Sequence, residues 1–149
     1  MFITDPDEGV RHTMIDGVHV AKVRPEHTGG VYEVFEVHAD PAPSAPPHAA
    51  PWTGSLYLIE GAMTVRGGGR VHELRPGATL TVPAHTAFTF EVTAPARFLG
   101  VTTGNGAGRF FADFARSVPL DRPLEEVVPL AAAVAQRHGV TLDAPAAAP

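Results

Sequence analysis

The 149-residue chain contains no cysteine, which excludes disulfides, thiolate nucleophiles and cysteine-bound zinc. It has one lysine, Lys22, and its arginines are scattered. Net charge is −5 and the pI is near 5.8. Without clustered positive charge to neutralise phosphates, nucleic acid is not expected as a partner. No apolar run approaches the roughly 18 residues of a membrane span. The opening MFITDPDEGV carries neither the basic nor the apolar segment of a secretory signal. The expectation is a soluble cytoplasmic protein with no membrane partner. Two reaction motifs are missing as well. Gly104-Asn105-Gly106-Ala107-Gly108 precedes a helical pattern, but G-x-G-x-x-G would need glycine where Arg109 stands, and no Gly-Lys-Ser/Thr exists. No G-x-S-x-G nucleophile elbow occurs either.

What the chain has is punctuation. Fifteen glycines and fifteen prolines divide it into short alternating segments, as many strands joined by turns require. Residues 1–9 read as a loose arm. Strands are expected at 18–23, 31–38, 55–59, 62–66, 70–74, 79–82, 87–92 and 97–103. Gly67-Gly68-Gly69 marks a hairpin, and Glu60-Gly61 reads as a turn between two strands. The stretch from Asp40 to Pro51 carries five prolines, which bar a central strand there. Helical spacing follows at 109–117 and 124–138, with Glu125 and Glu126 in the first turn of the second segment and Arg137 and His138 in its last, as the helix dipole favours. Pro129 places the regular start of that helix later. The tail at 144–149 is low-complexity. The length suits one domain, divided here into an arm and first strand (1–30), a barrel core (31–104) and C-terminal helices with the tail (105–149).

Several elements in fixed order carry a resemblance: a proline-rich arm with Pro46-Pro47-His48, YLIEG at 57–61, LRPG at 74–77, VPA at 82–84, and a helix opening on Arg109-Phe110-Phe111. From Val31 to Phe114 the chain resembles a single-domain cupin of the RmlC-like superfamily, most like the small quercetin-dioxygenase-like cupins. The resemblance implies an all-β fold, an antiparallel jelly-roll barrel with short C-terminal helices, and a homodimer. It also implies a divalent metal held by three histidines and one glutamate. His48 matches the first of these ligands. The second falls on Ala50, the glutamate on Gly54 and the third histidine on Phe88, while a histidine stands three residues earlier, at His85. One imidazole does not hold a divalent cation, since stable sites use about three or four protein ligands. No metal and no cofactor are therefore expected, and the space left is read as a drier pocket for an apolar ligand.

His48 is a candidate general acid or base, with His85 as its partner, because an imidazole titrates near neutrality. Trp52 on the arm is a stacking platform or a plug. Ala50, Gly54, Leu56, Leu58, Phe88 and Phe90 are expected to line the pocket, with Tyr57 pointing the other way. His38 is a further lining candidate if its strand face is inward, although the weight of Phe35 and Val37 favours the opposite face. The leading expectation is a cofactor-free cyclase or isomerase acting on a hydrophobic small molecule. A metal-dependent quercetinase-like dioxygenase with displaced ligands (His38, His48 and His85) stays open, as does a non-catalytic small-molecule-binding cupin.

Overall fold

The computed structural model describes residues 1–42 and 44–142; the tail at 144–149 lies outside them. Strict alternation sets the face of strand β3 (Tyr32–Ala39). Glu33, Phe35, Val37 and Ala39 are buried, and Tyr32 and His38 on the other parity are exposed, the period of two that a pleated strand imposes. β3 pairs antiparallel with β2 (Gly17–Val23) on one side and with the long β8 (Phe88–Thr103) on the other. β2 pairs in turn with β1 (Val10–Met14) through a tight connection at Ile15–Asp16. β5 (Gly54–Gly67) runs along the other edge of β8 and also pairs with β6 (Arg70–Leu74) and β7 (Thr79–Val82). The sheet has nine strands among the described residues. It curls around a core in which Phe35, Leu58, Met63 and Val37 are almost wholly buried, with Val65, Val92 and Phe98 beside them. Each such side chain contributes roughly 1.5–3 kcal/mol of apolar transfer energy.

Two long strands replace four expected short ones. β5 continues through Glu60-Gly61, and β8 continues through Pro95, with register shifts between Leu58 and Met63. Gly61 is why the two strands stay paired through the bend. A β-carbon there would lie 2.6 Å from the Ala96 Cα, so glycine lets the backbones of β5 and β8 pass closely at a bulge, where a turn was expected. The proline-rich arm is not wholly unpaired: Ala42 bridges Val92, and β4 (His48–Ala49) inserts between β8 and β9 (Thr141–Leu142).

The N-terminal arm is tied down. The Lys22 Nζ donates to the carbonyls of Asp5, Pro6 and Glu8, and after β2 the single turn α1 (Pro25–Thr28) stacks His27 on Phe2. At the other end, α2 (Gly106–Ser117) begins three residues earlier than its apolar stripe suggested, and α3 (Leu124–Arg137) runs straight through Pro129. That proline sits on an exposed face, where the carbonyl that its ring leaves without a donor is open to solvent. The two helices close a second core, Phe114, Val118, Val127 and Val134 around Met14 of β1. No helix among the described residues is long and apolar enough to cross a membrane.

Candidate functional site

His48 lies in the two-residue strand β4, directly opposite Phe88 of β8. Cross-strand partners share a face, and Phe88 packs against the barrel core, so His48 faces inward with it. The two rings stand 4.7 Å apart, centroid to centroid, and Phe88 in turn stacks on Phe90 at 6.3 Å. The His48 Nδ1 lies 3.2 Å from the Pro46 carbonyl. A carbonyl only accepts, so Nδ1 carries the proton and Nε2 is the free ring nitrogen.

The other expected residues divide. Leu58 is fully buried, and Leu56, Phe90 and Trp52 pack on the same core. Gly54 pairs with Thr102 and Val82, and a β-carbon there would be in ordinary contact, 3.9 Å from the Thr102 Cγ2. Ala50 is half-buried, and its carbonyl accepts the His85 N–H at 2.7 Å. Trp52 lies on the start of α2: a β-carbon at Gly106 would come within 3.1 Å of its ring, and Phe110 stands 6.0 Å away. Tyr57 points outward and is exposed.

Two expected site residues lie elsewhere. His38 is on the outer parity of β3, exposed, with its Nε2 2.8 Å from the Glu36 carboxylate. Phe35 and Val37 take the inner face because burying them releases more apolar surface than burying an imidazole and a carboxylate. His85 is exposed in a tight turn at φ 61°, held there by its own backbone bond to Ala50 rather than turned in beside His48. Among the described residues no three His, Cys, Asp or Glu side chains form a ligand set for one ion. The positions His48, Ala50, Gly54 and Phe88 do not fit a three-histidine, one-glutamate metal centre.

Polar groups that the sequence reading did not single out sit close by. His19 is on the inner parity of β2, opposite Val37, and is buried. Its Nε2 lies 3.0 and 3.1 Å from the two carboxylate oxygens of Asp16, while its buried Nδ1 has no hydrogen-bond partner among the described residues. The ring stands edge-on to Phe111 at 4.5 Å, and Phe111 meets Phe35 at 5.0 Å. Burial opposes ionisation of Asp16, yet its carboxyl is held below the usual range. His19 does most of this by charge and hydrogen bond, with a backbone hydrogen bond and the nearby His48 adding to it. His12 pairs with His19 across β1 and β2; burial, reinforced by His19, lowers its pKa. Asp16-Gly17 between apolar alternations was the available signal, since Asp-Gly is a strong hairpin dipeptide; the hairpin is what returns Asp16 to His19.

Glu33, also inward on β3, is buried, and burial raises its pKa against hydrogen bonds from the α2 N-terminus. Its Oε2 accepts the Gly108 N–H at 3.2 Å, so it pins α2 over the barrel, as a carboxylate at a helix N-terminus does. Two surface grooves, of ≈ 490 and ≈ 270 Å³, lie along the N-terminal arm around Phe2 and His27.

Similarity to known proteins follows the barrel. The chain is similar in structure to the polyketide cyclase RemF from Streptomyces resistomycificus (24% identity, TM-score 0.58, covering 69% of this chain and 79% of that one). It is similar to ectoine synthase from P. lautus (13% identity, TM-score 0.66, 76% and 85%). It is also similar to an RmlC-like cupin from Shewanella frigidimarina (13% identity, TM-score 0.63, 73% and 96%). At these identities the likeness is one of fold. No curated protein matches the chain in sequence. Residues 35–102 match the cupin domain family, and the barrel they form, with its RmlC-like structural neighbours, is a cupin domain.

Proposed function

We propose that this chain is a metal-independent enzyme that rearranges a hydrophobic small molecule, by cyclisation or isomerisation, inside the cupin barrel. The observation that carries this reading is His48: an inward imidazole with a free Nε2, standing on Phe88 in an otherwise apolar lining of Leu56, Leu58, Phe90 and Trp52. An apolar barrel restricts the conformations of a flexible chain and brings its reacting carbons together. Nε2 takes a proton as a base, and the imidazolium so formed returns it or polarises a carbonyl. The fold it shares with a polyketide cyclase supports a polyketone or aromatic precursor as the substrate class. The enzyme acts in the cytoplasm as a homodimer.

The test is incubation of the purified protein, before and after chelator treatment, with synthetic poly-β-ketone thioesters, with products followed by mass spectrometry. Isomeric or dehydrated products that persist after chelation and are lost in His48→Ala are expected. Unimpaired turnover by His48→Ala would remove the acid–base role. Near-stoichiometric Fe, Mn, Ni or Cu in unchelated protein, with activity that tracks it, would replace this reading with a quercetinase-like dioxygenase. A second reading, a non-catalytic binding protein, is favoured by Phe88 and Trp52, whose rings occupy the space next to His48 and under α2. Tight binding of the same compounds with no product would support it.

A further inference from the structure

The pair formed by Asp16 and His19 has the marks of a working group rather than of a structural one. A structural histidine in a core satisfies both ring nitrogens, because an unmet buried polar atom costs about 1–3 kcal/mol. His19 satisfies one. Its Nε2 faces both oxygens of Asp16 at 3.0 and 3.1 Å. A carboxylate only accepts, so Nε2 keeps its proton, and Nδ1 is the one ring nitrogen at which a proton can arrive or leave. That nitrogen is buried without a partner among the described residues, on the inner face of β2. The imidazole meets the ring of Phe111 edge-on, and that ring also meets Phe35 of the barrel core. Phe111, which meets His19, and Phe88, which meets His48, pack on the same barrel core, so the two imidazoles face that core from different strands.

We propose that His19 is the proton-accepting residue of the barrel, with Asp16 positioning it and His48 acting on the far side of the same substrate. This rests on the acid–base reading above and extends it to a substrate class: a flat, apolar carbonyl compound bearing an acidic C–H. His19 Nδ1 takes the proton from the carbon next to the carbonyl. The C–H electron pair becomes the new C=C bond, and the carbonyl oxygen takes the proton delivered by the protonated His48 Nε2. His19 then returns its proton to a different carbon of the conjugated system while His48 Nε2 takes back the proton on oxygen, which completes an isomerisation and restores both rings with no oxidant or reductant consumed. Besides His48, the titratable group facing the pair among the described residues is His12, across the hairpin. It lies beside His19 without a hydrogen bond to Asp16.

The test uses 5-nitrobenzisoxazole, a flat apolar compound whose ring opens when a base removes its one acidic C–H: the N–O bond breaks and a coloured phenoxide forms. The whole chain, His19→Gln, Asp16→Asn and His48→Gln are compared across pH, with circular dichroism confirming the fold of each. The expected result is that His19→Gln slows the reaction by about 10²-fold or more. Asp16→Asn keeps a measurable rate with kcat lowered and KM little changed, since the ring stays in place and loses only the partner that orients it. His19 carbethoxylated by diethyl pyrocarbonate, located by peptide mass spectrometry, is the parallel expectation and does not depend on turnover. An unchanged rate in His19→Gln with a lost rate in His48→Gln would overturn this assignment and leave the acid–base reading standing. No acceleration by the unaltered chain, with neither His19 nor His48 modified, would overturn both.

Discussion

Gly17 links backbone geometry to the candidate site. It has φ 139°, a region that side-chain-bearing residues rarely adopt. A β-carbon there would also lie 2.8 Å from the Ala39 Cα and closer still to the His38 carbonyl. The residue before it is Asp16, so the close approach of the hairpin to β3 is what presents the carboxylate to His19. Gly17→Ala is expected to lower stability by roughly 2–4 kcal/mol, the sum of backbone strain and a forced shift of the hairpin. Gly69→Ala provides the comparison: its φ is 73° but nothing lies within 4 Å of the added carbon, so it should cost only about 1–2 kcal/mol. Urea unfolding of the two variants decides between them, and equal midpoints would remove the steric argument. At this scale the sequence was only partly informative. His48 announced itself because it stands in a recognisable arm. His19 did not, because an inward histidine and an outward one look alike in VHVAKV until β3 shows which parity is buried.

The helices are held at element scale by one carboxylate. Asp113 on α2 accepts hydrogen bonds from Arg116 and Ser117 of its own helix, from the Nε and Nη2 of Arg137 at the end of α3, and from His138 just beyond it. Its carboxyl is held far below the ordinary 3.8, chiefly by the His138 hydrogen bond, while desolvation opposes the shift and Ser117 and the two arginines add to it. The sign follows from linkage: a carboxyl with a depressed folded pKa contributes stability above its unfolded value, and that contribution is lost as pH falls below it. Asp113→Asn should therefore melt below the unaltered chain near pH 7, with the gap narrowing steadily from about pH 4 downward. Thermal melts across that range provide the check, and a gap that stays constant would show that the clamp acts without its charge. Both helices were readable from their apolar stripes and end charges. The clamp was not, since Asp113, Arg137 and His138 lie 24 and 25 residues apart and meet only once α3 folds back on α2. The long strands were missed for a related reason. Glu60-Gly61 and Pro95 are turn residues by composition, and only the crossing of β5 over β8 turns them into a bulge.

For the whole molecule, the barrel was legible because alternation and turn residues repeat along the chain, whereas what surrounds the barrel depends on surfaces that no local pattern marks. One such surface is the outer face of β3, β8 and β5. There Tyr57 lies opposite Leu99, Val34 opposite Val101, and Tyr32 beside them at the strand end. Tyr57, Val101 and Tyr32 are 48%, 41% and 42% exposed, a cluster of apolar rings and branches at the centre of the sheet. Its margin carries the ion pair of Arg97 with Glu60 and the hydrogen bond of His38 with Glu36. A second copy can therefore meet it across a two-fold axis without like-charge repulsion. Apolar faces of this kind on a lone chain mark interaction sites, and here the proposed homodimer would cover it. A glutamate at both Tyr57 and Val101 would place four carboxylates in the dimer interface, each without a cationic partner, and burying unpaired charge is far more costly than the apolar contact is favourable. The unaltered chain should sediment as a dimer and the Tyr57→Glu, Val101→Glu variant as a folded monomer, with its His48–Phe88 interior intact. A monomeric unaltered chain at about 100 μM, where even a Kd near 10 μM leaves most copies paired, would place the apolar face outside any self-association.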